Sequence, residues 1–227
     1  MVKLNSKYLQ ASGSWAKEVE FLPYVGSAYA EGIDGVRVLL LGESHYIADK
    51  AKITEAGGLR FYTRYIFEDC ARDGARTWGT FFRRLDSIVA RKVDPSDDEA
   101  ASGWNRIAFA NFVQKPVGNG ARIRPDSGGW ESGRRAFPHL LGTLAPHVIL
   151  VVGRQAFNQT PDAPGRRIGE ITVPSSGIPR SLWEMDYAGG TALMTWVYHP
   201  SWPRESRQGY VDVFNALLAK AKHRQGD

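Results

Sequence analysis

Hydrophobic positions change period several times along this chain, and the changes mark its elements. Val36-Arg-Val38-Leu-Leu-Leu41 is a short apolar run closed by Gly42, the pattern of a buried parallel strand. Phe61, Tyr62, Tyr65, Ile66, Asp69 and Cys70 then keep helical spacing, as do Trp78, Phe81, Phe82, Leu85, Ile88 and Val89. Carboxylates crowd Asp94-Pro-Ser-Asp97-Asp98-Glu99, which reads as a solvated loop. Arg106-Ile-Ala-Phe-Ala110 predicts a second strand ending at Asn111. Glycine and proline between Pro116 and Gly133 predict a loop, and Ser132 is placed to cap a helix to about Leu144, with Arg134 and Arg135 on its wet side. His147 to Val152 predicts a third strand, ending at Gly153. Residues 158–180 read as loop with one short strand near Ile171–Val173. Leu182–Tyr187 and Ala192–Tyr198, joined through Ala188-Gly-Gly190, read as strand, turn and strand. A last helix from about Gln208 to Lys222 places Val211, Phe214, Leu217, Leu218 and Ala221 on one face. Strands alternating with helices predict an α/β sandwich around a mainly parallel sheet.

Composition narrows the class. A chain of 227 residues builds one full domain or at most two small ones. One cysteine, Cys70, cannot form an internal disulfide framework, nor hold zinc or an iron–sulfur cluster through four thiolates of this chain. A reducing, cytoplasmic setting is therefore expected. The start, Met1-Val2-Lys3-Leu4-Asn5-Ser6, leads into no apolar stretch of signal-peptide kind, and the longest apolar run, Val148–Val152, is far too short to span a bilayer. The net charge of +5 and pI near 9.3 permit nucleic-acid binding without demanding it. Basic residues gather at Arg122-Ile-Arg124, Arg134-Arg135, Arg154, Arg166-Arg167 and Arg204 to Arg207, and a fold that joined several of them would have one positive face.

In parallel sheets ligands bind beyond the carboxyl ends of the strands. Three segments sit there: Gly42-Glu43-Ser44-His45-Tyr46, Asn111-Phe112-Val113-Gln114-Lys115-Pro116, and His199-Pro200-Ser201-Trp202-Pro203-Arg204. In that order they resemble the uracil-DNA glycosylase superfamily. The first is similar to its water-positioning loop, which in one branch begins Gly-Glu. The second is similar to the Asn-x-Val-x-x-x-Pro-x-Gly-Asn stretch of the thermostable branch, here running on through Lys115-Pro116-Val117-Gly118-Asn119 with the proline offset by about one position. The third matches His-Pro-Ser followed by a wedge residue and an arginine. Between them, Leu144-Ala-Pro146-His-Val148 through Gly153-Arg-Gln-Ala156 looks like the family's Pro-x-hydrophobic-Gly-x-x-Ala strand and turn. The likeness spans roughly residues 36–215. Two departures stand out: the four cluster cysteines of the thermostable branch are absent, and the first motif reads Glu43-Ser-His45-Tyr without its usual proline.

The resemblance implies a single domain, 1–227, with roughly the first 30 residues peripheral, folded as a three-layer αβα sandwich with a central, mainly parallel, four-stranded sheet. It implies a monofunctional DNA glycosylase without cofactor, metal or iron–sulfur cluster, acting on DNA with no membrane and no protein partner. Glu43 would hold water beneath the sugar, Asn111 would read the base edge, and His199 would donate to the base oxygen that gains charge. Ser44, His45, Tyr46 and Phe61 would line the base pocket, with Tyr62 a further stacking candidate. His45 stands beside Glu43 as an alternative water-orienting group. Lys115, Ser201, Arg204 and Ser206 would contact phosphates, and Trp202 would fill the gap left by the flipped nucleotide. The altered first motif leaves uracil and a modified pyrimidine, including the hypermodified cytosines of phage DNA, as competing substrates. Three other readings stay open: a non-catalytic DNA-binding module, a metal-dependent hydrolase using Glu43, His45 and His199, and hydrolysis of free nucleosides.

Overall fold

The computed structural model describes residues 3, 5, 15–47, 49–73, 79–120, 123–160, 164–202 and 204–226. The strands are β1 (Tyr24–Val25), β2 (Val38–Gly42), β3 (Ile107–Asn111), β4 (Val148–Val152), β5 (Gly165–Ile171), β6 (Arg180–Tyr187) and β7 (Gly190–Val197). The helices are α1 (Ala51–Glu55), α2 (Tyr62–Asp73), α3 (Gly79–Ala90), α4 (Asp97–Trp104), α5 (Ser127–Leu144), α6 (Arg154–Gln159) and α7 (Arg207–Gly226). All strands join one sheet in the order β1-β3-β2-β4-β7-β6-β5. β3, β2, β4 and β7 run parallel at its centre. β1 adds antiparallel at one edge, and β6 and β5 add antiparallel at the other.

The central strands are apolar on both faces because both faces are covered. Val38 and Leu40 of β2 point with Phe109, Leu150 and Val197 toward α3, α4 and α7, where Leu85, Trp104 and Phe214 complete one core. Leu39 and Leu41 point with Ala108, Ile149 and Met194 toward α5 and α6, where Phe137, Leu140 and Ala156 complete the other. This is a mixed α/β fold with helices packed against a multi-stranded sheet.

Several expectations change. The sheet has seven strands rather than four. Of the added edge strands, β6 matches the strand read at Leu182–Tyr187, while β1 and β5, the latter inside the segment read mostly as loop, escape a periodicity reading for plain reasons. β1 has two residues, and β5 carries Arg166, Arg167 and Glu170 on a half-exposed ribbon broken by an irregularity between Arg167 and Gly169. The acidic run is not a loop throughout. Ser96 accepts from the Glu99 amide while the Glu99 side chain accepts from the Ser96 amide, so a capping box opens α4 with Asp97, Asp98 and Glu99 in its first turn. Carboxylates there favour the positive end of the helix. Helix α5 starts at Ser127 under an Asp126 cap, and Ser132 lies inside it with its hydroxyl donating to the Gly129 carbonyl. Trp78 and the side chains of Asp69 and Cys70 lie outside the described residues. The segment expected to be peripheral is built into the fold from residue 15 onward: Trp15, Val19, Leu22, Val25 and Tyr29 are buried in the α5-side core. No helix among the described residues is long and apolar enough to cross a membrane.

Candidate functional site at the carboxyl ends of the parallel strands

Beyond the ends of β2, β3 and β7 lies a cavity of ≈ 290 Å³. Glu43, Ser44, His45 and Tyr46 line it from the β2 loop, Asn111 from the end of β3, and His199 and Ser201 from the loop after β7. Tyr62, Phe81 and Phe109 supply aromatic wall, and Asp49 and Lys52 supply charge. The catalytic candidates thus come from three strand ends far apart in sequence and meet in one hollow.

The β2 and β3 loops leave the sheet as a continued ladder. The Phe112 amide donates to the Gly42 carbonyl, Val113 to Glu43, and Val117 to His45. Gln114 pins this pair from below, donating to the Asn111 carbonyl at 2.7 Å and accepting from the Phe21 amide at 2.9 Å. The Asn111 carboxamide lies over Gly42, where a Cβ would come within 2.2 Å of its Oδ1. The glycine of the Gly-Glu pair is therefore the space in which the asparagine stands. Among the described residues no group hydrogen-bonds that buried carboxamide, which leaves its donor and acceptor for a ligand. Gly42→Ala is expected to cost about 1–3 kcal/mol by overpacking and to displace Asn111 from the cavity. A lowered melting temperature together with lost base recognition checks this, and a variant that melts and acts like the wild type refutes it.

Glu43 is largely covered, and both its carboxylate oxygens accept from the Arg124 guanidinium at 3.0 and 3.2 Å. Arg124 precedes α5 and reaches the site across the cavity rim. The Arg122-Ile-Arg124 cluster marked it as basic, but no spacing rule ties it to Glu43.

His199 is held as a neutral donor. Its Nδ1 accepts from the Ser201 amide at 3.2 Å, and an amide N–H can only donate. The ring proton of the neutral imidazole therefore sits on Nε2. Burial first, and then the nearby Arg124 charge, push its pKa down to about 4. The loop that carries it is braced on both sides. Arg84 donates to the Pro200 carbonyl, and to that of Trp202 at 2.8 Å. Glu205, in a wholly buried ion pair with Arg180, accepts from the Tyr198 amide at 3.3 Å. Neither brace is legible in the sequence, because Arg84 and Arg180 lie 116 and 25 residues from their partners Pro200 and Glu205.

His45 is a different kind of histidine. Its Nε2 is 2.8 Å from the Thr63 hydroxyl, and its ring meets Phe21 and Tyr62 edge-on. Burial pushes its pKa down to about 3. The unfolded chain takes up a proton near pH 6.5 while the folded ring refuses it, so stability falls as pH drops below 6.5. Between pH 6.5 and 5 this group costs about 2 kcal/mol, from roughly 1.4 kcal/mol per pH unit. Denaturant titrations of wild type and His45→Gln check it: the pH slope should flatten in the variant, and an unchanged slope refutes the assignment.

The remaining candidates divide. Tyr46 lines the cavity but is 54% exposed. Phe61, expected in the base pocket, is not part of the wall; it packs half-buried against the α5-side core, and Tyr62 lines the cavity instead. Phe61 ends a 3-10 turn and Tyr62 opens α2, so the two adjacent side chains leave the backbone in different directions. Trp202 is 48% exposed with the Arg204 guanidinium 5.6 Å above its ring. Lys115 is exposed and outside the cavity wall. The Ser206 hydroxyl accepts from the Gly209 amide at 3.0 Å in the first turn of α7, a capping bond that still leaves its proton to donate. Phe81, whose ring stacks tilted at 5.3 Å from His199, joins the site although its spacing reads as core. Among the described residues no three His, Cys, Asp or Glu side chains are gathered so as to hold a metal ion.

No known family model matches this chain, and no curated protein matches it.

Proposed function

We propose that this protein is a monofunctional DNA glycosylase of the uracil-DNA glycosylase-like fold, hydrolysing the N-glycosidic bond of a flipped uracil or modified pyrimidine to leave an abasic site. The observation that carries this reading is the convergence of Glu43, Asn111 and His199 on one cavity at the ends of β2, β3 and β7. The central parallel order β3-β2-β4-β7 agrees with it.

Each group has a task that its surroundings suit. The unpaired Asn111 carboxamide offers one donor and one acceptor in a plane, matching a carbonyl and an N–H on a base edge. As the C1′–N bond breaks, its electron pair passes to the base, and His199 Nε2–H donates to the base oxygen that shares the charge. Glu43 holds a water below the sugar, stabilises the cation developing at C1′, and accepts a water proton as the oxygen bonds to C1′. A carboxylate has about four lone-pair sites, so the Arg124 contact leaves room for that water. Phe81 and Tyr62 give the extruded base apolar surface in exchange for its lost stacking.

A modified pyrimidine is favoured over uracil by Tyr46. Tyr46 lines the cavity yet is 54% exposed, which supports a pocket with room for a substituted pyrimidine. The base is identified by presenting the protein with duplexes containing uracil, unmodified cytosine, and hydroxymethylated or glucosylated cytosine, with and without chelator. Mass spectrometry reads free base and abasic sites. Release of one pyrimidine, unaffected by chelator, is expected. Binding without release would make the protein a non-catalytic module, and chelator-sensitive release would require metal chemistry.

A further inference from the structure

Among the described residues three large hydrophobic side chains are exposed: Tyr46, Ile123 and Trp202. Each lies at the cavity or one residue along the chain from a group that borders it. Tyr46 lines the cavity, Trp202 follows the lining residue Ser201, and Ile123 precedes Arg124, whose guanidinium sits on Glu43. Scattered exposed hydrophobics need no explanation, but apolar side chains confined to the rim of one cavity do.

Ile123 is also supported rather than loose. Gly118 lies directly beneath it at φ 62°, and a Cβ there would fall 2.5 Å from Ile123 Cδ1. The Gly118 carbonyl in turn accepts from the Ile47 amide at 3.1 Å, next to Tyr46. The side chain thus rests, Cδ1 nearest the backbone, on a ledge hydrogen-bonded to the β2 loop, and is 46% exposed. Cations accompany the rim: Arg124 beside Ile123, Arg204 over Trp202, and Lys52 in the wall, against the carboxylates of Glu43 and Asp49. Apolar wedges flanked by arginines suit a polyanion whose apolar surface lies between its base steps.

Sheet order sets the two wedges apart. Ile123 belongs to the loop after β3 and Trp202 to the loop after β7, with β2 and β4 between them. Through Arg124–Glu43 and Gly118–Ile47 the Ile123 loop lies against the β2 loop, so β4 stands between it and the Trp202 loop. We infer that Ile123 is a second intercalating side chain, entering the duplex on the side of the opening away from Trp202 and packing against the base that loses its partner. The inference takes its partner, DNA, from the proposed function.

The test uses a duplex with a stable tetrahydrofuran abasic analogue and 2-aminopurine opposite it. This DNA has a gap to fill and no base to excise. Wild-type protein is expected to bind it and change the 2-aminopurine fluorescence. Ile123→Ala should lose about tenfold in affinity, comparable to removal of one stacking contact, and should lose the fluorescence change. Ile123→Phe should keep both, and unchanged melting of the variants separates the effect from misfolding. An Ile123→Ala protein that binds and perturbs 2-aminopurine like the wild type overturns the inference. So does one whose DNA affinity is unchanged while self-association in sedimentation is lost, because the patch would then join two copies of the chain. The two readings fail separately. Absence of base release with an intact Ile123 effect removes the glycosylase and keeps the wedge; base release without an Ile123 effect does the reverse.

Discussion

Glu43→Gln is expected to slow base release by roughly 10³-fold while leaving DNA affinity equal or stronger. The substitution keeps shape and a hydrogen-bonding oxygen. It removes the negative charge that stabilises a cationic sugar and the group that accepts the water proton. It also frees Arg124, whose guanidinium spans both Glu43 oxygens. A released cation at the rim favours phosphate, which is why binding should not weaken. Single-turnover base release and fluorescence anisotropy on the same duplex read the two effects apart. Full release by the variant would remove Glu43 from the mechanism. Loss of binding in parallel with loss of release would make it a structural residue.

His199→Ala is expected to cost roughly 10²–10³-fold, and His199→Gln to recover part of that because its amide supplies an N–H near the same place. The pH profile gives a second reading. The working form is the neutral ring with its proton on Nε2, because the Ser201 amide occupies Nδ1. Burial and Arg124 hold the pKa down to about 4, so the working form persists as pH falls from 8 to 5 and is lost only near 4. An ordinary histidine would protonate near pH 6.5. The contribution of His199, measured as the rate ratio of wild type to His199→Ala, should therefore stay constant across pH 5 to 8. A ratio that collapses below pH 6.5 would show a ring titrating as an ordinary, wetter histidine, and a ratio that rises there would show a histidine acting in its charged form.

Much of the frame was legible along the chain. The runs at β2, β3 and β4 and the amphipathic α3 and α7 follow from period alone, because covered parallel strands are apolar on both faces and surface helices on one. Element ends were harder. Ser96 and Asp126 cap helices that begin inside what composition marks as loop, since capping residues are the same polar residues that build turns.

For the site, position past a strand end marked the three segments, and the resemblance to the glycosylase superfamily singled out Glu43, Asn111 and His199 within them. The sequence by itself determined which side chains offer chemistry, and that the strands carrying them are buried. The tertiary structure decided which of those side chains meet and in what state. Two histidines of identical chemistry part company there: His45 is bound to Thr63 within the wall, while His199 keeps Nε2 for the cavity. Phe61 and Tyr62, adjacent in sequence, end in different places, one against the core and the other lining the cavity. The braces from Arg84 and Arg180, the Gln114 link to Phe21, and the Arg124 contact with Glu43 join residues that no local spacing connects. The physical reason is one of range. Periodicity and capping act over a few residues and are written locally. Hydrogen-bond direction, burial and the electrostatic state of a side chain depend on neighbours that only the folded sheet order brings within a few ångström.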